Sequence, residues 1–109
     1  MARGLAWGDI RMVELGRPDK TRPALVLTRT SAMRYLNAVT VAPISRSVRG
    51  VPSEVPLGEE DGLKQPSAAS CHALQTVPKT KLGRWLGAVP VSRKAEVRRA
   101  LLFSLELDE

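Results

Sequence analysis

The groups able to do chemistry in this chain are cations and hydroxyls gathered at the ends of apolar runs. Thr21 and Arg22 precede one such run, and Ser45 and Arg46 follow another. The familiar catalytic constellations are missing. Cys71 and His72 are adjacent, and neighbours in a strand point to opposite faces, so they form no thiol–imidazole pair. No Gly-rich phosphate loop of the Walker or Rossmann pattern occurs. No cluster of His, Cys, Asp or Glu has metal-ligand spacing, and no cofactor is implied. Guanidinium and hydroxyl donors fit the oxygens of a phosphodiester and need no metal to do so.

Those donors need a scaffold. The chain has 109 residues, which suits one domain over 1–109. A single Cys excludes an internal disulfide framework and a thiolate zinc cage. Eight Gly and eight Pro favour a turn-rich β design over a helical bundle. With four aromatic residues, a base-stacking platform of several rings is excluded. Lys and Arg number 17 against 11 Asp and Glu, and the net charge of +6 directs the surface toward polyanions. No signal-peptide pattern and no apolar run of ~18 residues occurs, so no membrane partner and a cytoplasmic location are expected.

The apolar periodicity is mostly two. Residues 8–15 read as a strand opened by a turn at Gly8-Asp9. Residues 16–22 form a polar loop, and 23–28 are nearly all apolar, as in a strand covered on both faces. Residues 31–36 suit one helical turn. The next strand, 38–44, contains Pro43, which marks a bulge or an edge. Residues 53–57 read as a short edge strand, 58–66 as an exposed acidic and polar segment, and 67–76 as one strand. A turn of helix around 78–82 leads to a strand over 84–89. The tail differs: Ser92 can cap a helix over 93–107, with Val97, Ala100, Leu101 and Leu105 on one apolar stripe. So short a helix needs a docking surface, on the sheet or on a second chain. These readings give an α+β, mainly β chain: a curled antiparallel sheet with a C-terminal helix.

Several fragments then recur in a telling order: Trp7-Gly8-Asp9-Ile10, Arg22-Pro23-Ala24-Leu25-Val26-Leu27, Thr40-Val41-Ala42-Pro43-Ile44-Ser45, and Pro52-Ser53-Glu54-Val55-Pro56-Leu57. They continue as Gly62-Leu63-Lys64-Gln65-Pro66-Ser67, Gln75-Thr76-Val77 and Lys81-Leu82-Gly83. In order and spacing the chain resembles the MazF/PemK family of toxin endoribonucleases. The resemblance implies a small SH3-like barrel of the CcdB/MazF type, a homodimer, and metal-independent, sequence-specific cleavage of single-stranded RNA that inhibits translation and growth. It also implies an acidic antitoxin partner of the MazE kind.

Carried over residue by residue, Arg22 matches the family's catalytic arginine and Ser45 the position of its catalytic Thr or Ser. The chemistry implied is attack of a ribose 2′-hydroxyl on its own phosphate, expelling the 5′-oxygen and leaving a 2′,3′-cyclic phosphate. A guanidinium is a poor base, so Arg22 serves first as an electrostatic stabiliser and second as a proton donor. Arg17, Lys20 and Thr21 of the first loop are expected to grip RNA, the more so because this loop is shorter than in many members. Arg46 and Arg49 read as phosphate clamps, and Gln75, Thr76 and Lys79 as base or backbone contacts. His72 departs from the family, which places Asp or Glu there. It can contact a base or phosphate, act in proton transfer, or be a neutral structural imidazole. Trp7 and Trp85 read as core or dimer residues and Cys71 as a buried small hydrophobe. Two rivals share the features: a CcdB-like gyrase poison, disfavoured because the end Leu107-Asp108-Glu109 lacks a Trp-Gly-Ile type terminus, and a basic RNA-binding module without chemistry.

Overall fold

The computed structural model describes residues 4–16 and 20–108. In chain order their strands are β1 (Asp9–Glu14), β2 (Thr21–Val26), β3 (Ala38–Ser45), β4 (Glu54–Leu57), β5 (Ser67–Ser70), β6 (Gln75–Pro78) and β7 (Leu82–Ala88), followed by helix α1 (Lys94–Ser104). All pairings are antiparallel, in the order β4-β5-β3-β2-β1-β7, with β6 also on β3. The result is a curled, mainly antiparallel β half-barrel with a C-terminal helix.

The apolar run 23–28 explains the centre. Leu25 packs with Ile10, Ile44 and Val97, while Ala24 and Val26 pack with Val13, Val39 and Met33. β2 is therefore covered on both faces, as its composition requires, and Leu25→Ala would remove about 2–5 kcal/mol. β3 serves two partners in turn: Ala38 to Val41 pair with β6, and Ile44 and Ser45 pair with β5. Pro43, which has no N–H to offer a ladder, sits at that change of partner.

Three segments differ from their sequence reading. Residues 67–76 are not one strand, because a 3-10 turn at Cys71–Ala73 separates β5 from β6. Cys71 still points inward and His72 outward. The helix is shorter than 93–107 and is not capped by Ser92; a 3-10 turn, Val91–Arg93, leads into it with Arg93 at the N-cap. Val97 and Ala100 are buried, but Leu105 lies beyond the helix and is 53% exposed.

The third difference shapes the groove. Residues 58–66 are not uniformly exposed: Asp61 and Leu63 are buried. Asp61 accepts from the Gly58 N–H at 3.0 Å and from the Arg93 guanidinium at 3.1 Å. The segment crosses from the β4 edge to β7 and closes the curl. Contact is so close that a Cβ on Gly62 would lie 2.1 Å from the Leu86 carbonyl oxygen, and one on Gly87 would lie 2.0 Å from that of Asp61. Gly62 also has φ +96, so no other residue fits there without strain. Among the described residues no helix is long and apolar enough to cross a membrane.

Candidate active-site groove

β2 begins and β3 ends on the same side of the sheet. Their ladder pairs Ala24 with Pro43, Leu25 with Ala42 and Val26 with Val41. Continued by two residues, that register sets Arg22 opposite Ser45. A groove of ≈ 540 Å³ opens at this end, and both residues line it. Thr21 and Arg46 join them from the flanking positions. Lys64, from the closing segment, and Arg84, from β7, line it as well. Met12, Ile44 and Leu86 supply apolar surface.

The electrostatics are one-sided. Arg22, Arg46, Lys64 and Arg84 contribute positive charge, and no carboxylate occurs among the described lining residues. Four exposed cations around one concavity sum to a positive field that attracts a polyanion. The same donor set offers nothing to a divalent cation, and no metal-binding cluster exists among the described residues.

Ser45 Oγ accepts a hydrogen bond from the Ser47 N–H at 3.0 Å, so it shapes the turn that follows the strand. Its hydroxyl hydrogen remains available to a ligand, since a hydroxyl both accepts and donates. Arg22 is exposed, and among the described residues its guanidinium has no hydrogen-bond or ion-pair partner.

Other residues singled out by sequence lie elsewhere. Arg17 falls outside the described residues. Lys20 and Arg49 are exposed but are not part of the groove lining. Gln75 and Thr76 sit within β6 opposite Val41 and Thr40, toward the other end of β3 from Ser45. Lys79 donates to the Met33 carbonyl, which ties the turn Lys79–Lys81 to the turn Thr30–Tyr35, also at that far end. His72 does not line the groove; its Nδ1 lies 2.7 Å from Ser53 Oγ. Trp7 is half-buried against the core with the Lys94 ammonium 5.0 Å from its ring centroid, and Trp85 is 38% exposed. Burial pushes the Cys71 thiol up to about 11, which keeps it an inert hydrophobe.

Sequence reasoning missed Lys64, Arg84 and buried Asp61. Lys64 lies on a polar stretch and Arg84 near the start of an apolar strand, and neither position carries a local signal. The available clue was the glycine pair Gly62 and Gly87, whose close approach brings both cations to the groove.

The chain and its fold are similar to known proteins. A family model described as PemK-like, MazF-like toxin of type II toxin-antitoxin system matches residues 6–105. Endoribonuclease MazF3 of Mycobacterium tuberculosis is 40% identical over 99 residues, covering 91% of this chain and 96% of that protein. The solved structure of the Mycobacterium tuberculosis toxin MazF-mt6 superimposes with a TM-score of 0.86 at 40% identity, covering 93% of this chain and 99% of its own. At 23% identity the fold is shared with an endoribonuclease in complex with its cognate antitoxin from a mycobacterial species, with a TM-score of 0.84 over 97% of this chain and 99% of that one. The chain belongs to the PemK-like, MazF-like toxins of type II toxin–antitoxin systems.

Proposed function

We propose that this chain is an endoribonuclease toxin that cuts single-stranded RNA at specific sequences without a metal ion. The observation that carries the reading is the pairing of Arg22 with Ser45 across the β2–β3 register, at a groove whose described lining is cationic and free of carboxylates. In the reaction, the 2′-oxygen of the scissile nucleotide bonds to phosphorus as the bond to the 5′-oxygen breaks. The 2′-hydroxyl gives its proton to water, and the departing 5′-oxygen takes one from Arg22, which recovers a proton from water. Negative charge builds on the nonbridging oxygens. Arg22 offers two parallel donors to them and Ser45 a third, and a donor of this kind is worth ~10²–10³ in rate. Arg46, Lys64 and Arg84 hold the flanking phosphates.

A relative in the same fold is solved with its cognate antitoxin, which supports an acidic antitoxin segment lying over this cationic groove. Exposed Phe103, Leu105 and Leu107 at the helix end support a homodimer, whose net charge is twice the +6 of one chain. A gyrase poison or a plain binder has no use for a paired guanidinium and hydroxyl at one groove.

Incubating the protein with a mixed RNA pool in EDTA tests the reading. Cleavage should proceed, with 2′,3′-cyclic phosphate or 3′-phosphate ends and free 5′-hydroxyls. A single 2′-deoxyribose at the scissile nucleotide should abolish it. Cutting of the deoxy-substituted strand, or arrest by EDTA that a divalent cation restores, refutes the mechanism.

A further inference from the structure

The loop of residues 46–52 follows Ser45 directly and presents Arg46 to the groove. A polar loop free in water samples many conformers and would hold a guanidinium poorly. This one is tied at both ends. At its start the Ser47 N–H donates to Ser45 Oγ at 3.0 Å. At its far end the N–H groups of Arg49 and Gly50 converge on the Glu54 carboxylate at 3.1 and 2.8 Å, and the Glu54 N–H donates to the Val51 carbonyl at 3.0 Å. Gly50 has φ +73, the left-handed conformation that turns successive N–H groups toward one point and makes an anion-binding nest. The nest is filled by the chain's own carboxylate. Burial works upward on the Glu54 carboxyl, but the amides of Arg49, Gly50 and Val51 outweigh it and hold the group below the usual carboxylate range.

The residue before Glu54 is anchored as well. Ser53 is 5% exposed; its carbonyl accepts from the Cys71 N–H at 2.9 Å, and its hydroxyl meets His72 Nδ1 at 2.7 Å. We propose that Glu54 is a positioning residue of the groove: seated in the nest and backed by the Ser53–His72 pair, its carboxylate fixes the 46–52 loop so that Arg46 meets an RNA phosphate. The proposal rests on the nuclease reading above. It gives His72 a role through Ser53, away from the bases and from the proton transfers.

Electrostatics alone makes the opposite demand. A carboxylate on a protein that binds RNA repels the strand, so deleting it should tighten binding. A positioning carboxylate weakens binding when deleted, despite the gain in positive charge. Steady-state cleavage of one RNA oligonucleotide separates the two, with thermal unfolding run alongside to confirm that each variant folds. Glu54→Ala should raise KM about tenfold, the loss of one charge-assisted bond, while kcat stays within about threefold. Glu54→Gln keeps one acceptor oxygen in the nest and should recover most of the loss. In an Arg46→Ala background Glu54→Ala should add less than about twofold, because the residue it positions is gone. Amide hydrogen exchange at Arg49 and Gly50 should accelerate in Glu54→Ala. A lower KM in Glu54→Ala, an equal factor in both backgrounds, or unchanged exchange overturns the proposal. If the wild-type protein cuts no RNA, the nuclease reading falls and the groove role with it, and the exchange data alone then report whether Glu54 holds the loop.

Discussion

Replacing Arg93 by Ala should destabilise the fold far more than the loss of an ordinary half-exposed arginine. The guanidinium donates to Asp61 at 3.1 and 3.3 Å, to the Pro56 carbonyl at 2.6 Å and to Glu96 at 2.9 and 3.1 Å. Asp61 is the partner that matters, because its side chain is only 1% exposed. Without Arg93 that carboxylate keeps only the Gly58 N–H among the partners described here. Breaking a buried ion pair from one side typically removes ~3–5 kcal/mol, since the survivor is left uncompensated. The remaining amide lessens this, and the Glu96 arm, 42% exposed, adds little in high dielectric. We therefore expect a loss of about 2–3 kcal/mol, equivalent to roughly 10 °C in Tm for a chain of this size. Urea and thermal unfolding followed by circular dichroism measure it. Adding Asp61→Asn to Arg93→Ala should restore part of the loss, because a neutral amide is cheaper to bury than a bare carboxylate. A loss under about 1 kcal/mol, or a double variant no more stable than the single one, would refute the buried-charge argument. The consequence reaches function, since Asp61 pins the segment that carries Lys64 to the groove.

Arg22→Ala should lower kcat by on the order of 10³ or more, and Arg22→Lys should rescue it poorly because an ammonium lacks the planar fork; wild-type rates in either would remove Arg22 from the chemistry. Ser45→Ala should lose less than Arg22→Ala, whereas Ser45→Thr, which retains the hydroxyl, should stay near wild type in a single-turnover assay. Lys64→Gln and Arg84→Gln should each weaken RNA binding and reduce the slope of log K against log salt by about 1, with the chemical step nearly intact. An unchanged slope would mean that neither cation meets a phosphate. The hydrogen bond from Arg93 holds the Glu96 carboxyl below its ordinary value of 4.5, and the loop amides do the same for Glu54 against the upward pull of burial. With folded-state values depressed, the unfolded chain binds more protons in this range, so stability is full above about pH 4.5 and declines as pH falls through the lowered values. The urea midpoint should fall on acidification below that pH, and less steeply in Glu96→Gln; an identical slope in that variant would exclude Glu96 as a contributor.

Elements whose character is local are legible in the residues alone. The run Pro23-Ala24-Leu25-Val26 leaves no polar face, so β2 has to lie between neighbours with cover on both sides. Pro43 forbids a continuous ladder, and β3 changes partner there. The closeness of Arg22 to Ser45 is nearly local too, because the antiparallel pairing of two successive apolar strands brings the start of one to the end of the next. The short turns at Thr30–Tyr35 and Lys79–Lys81 follow from their neighbouring strands in the same way.

The rest of the groove depends on contacts between segments remote in the chain. A periodicity of two tells which face a residue occupies, yet it says nothing about which distant segment that face meets. Asp61 looks like one of three acidic surface residues in a row, and it is buried because Arg93, on the far side of the chain, reaches it. Lys64 and Arg84 meet across one groove because Gly62 and Gly87 allow two backbones into contact that any Cβ would forbid. His72 and Lys79, read from the sequence as candidates for RNA contact, also meet Ser53 and the Met33 carbonyl, which no local pattern announces. In each case the deciding partner is remote in sequence, and a polar side chain takes whichever partner the closed fold delivers, because burying it without one costs more than any local preference can offset.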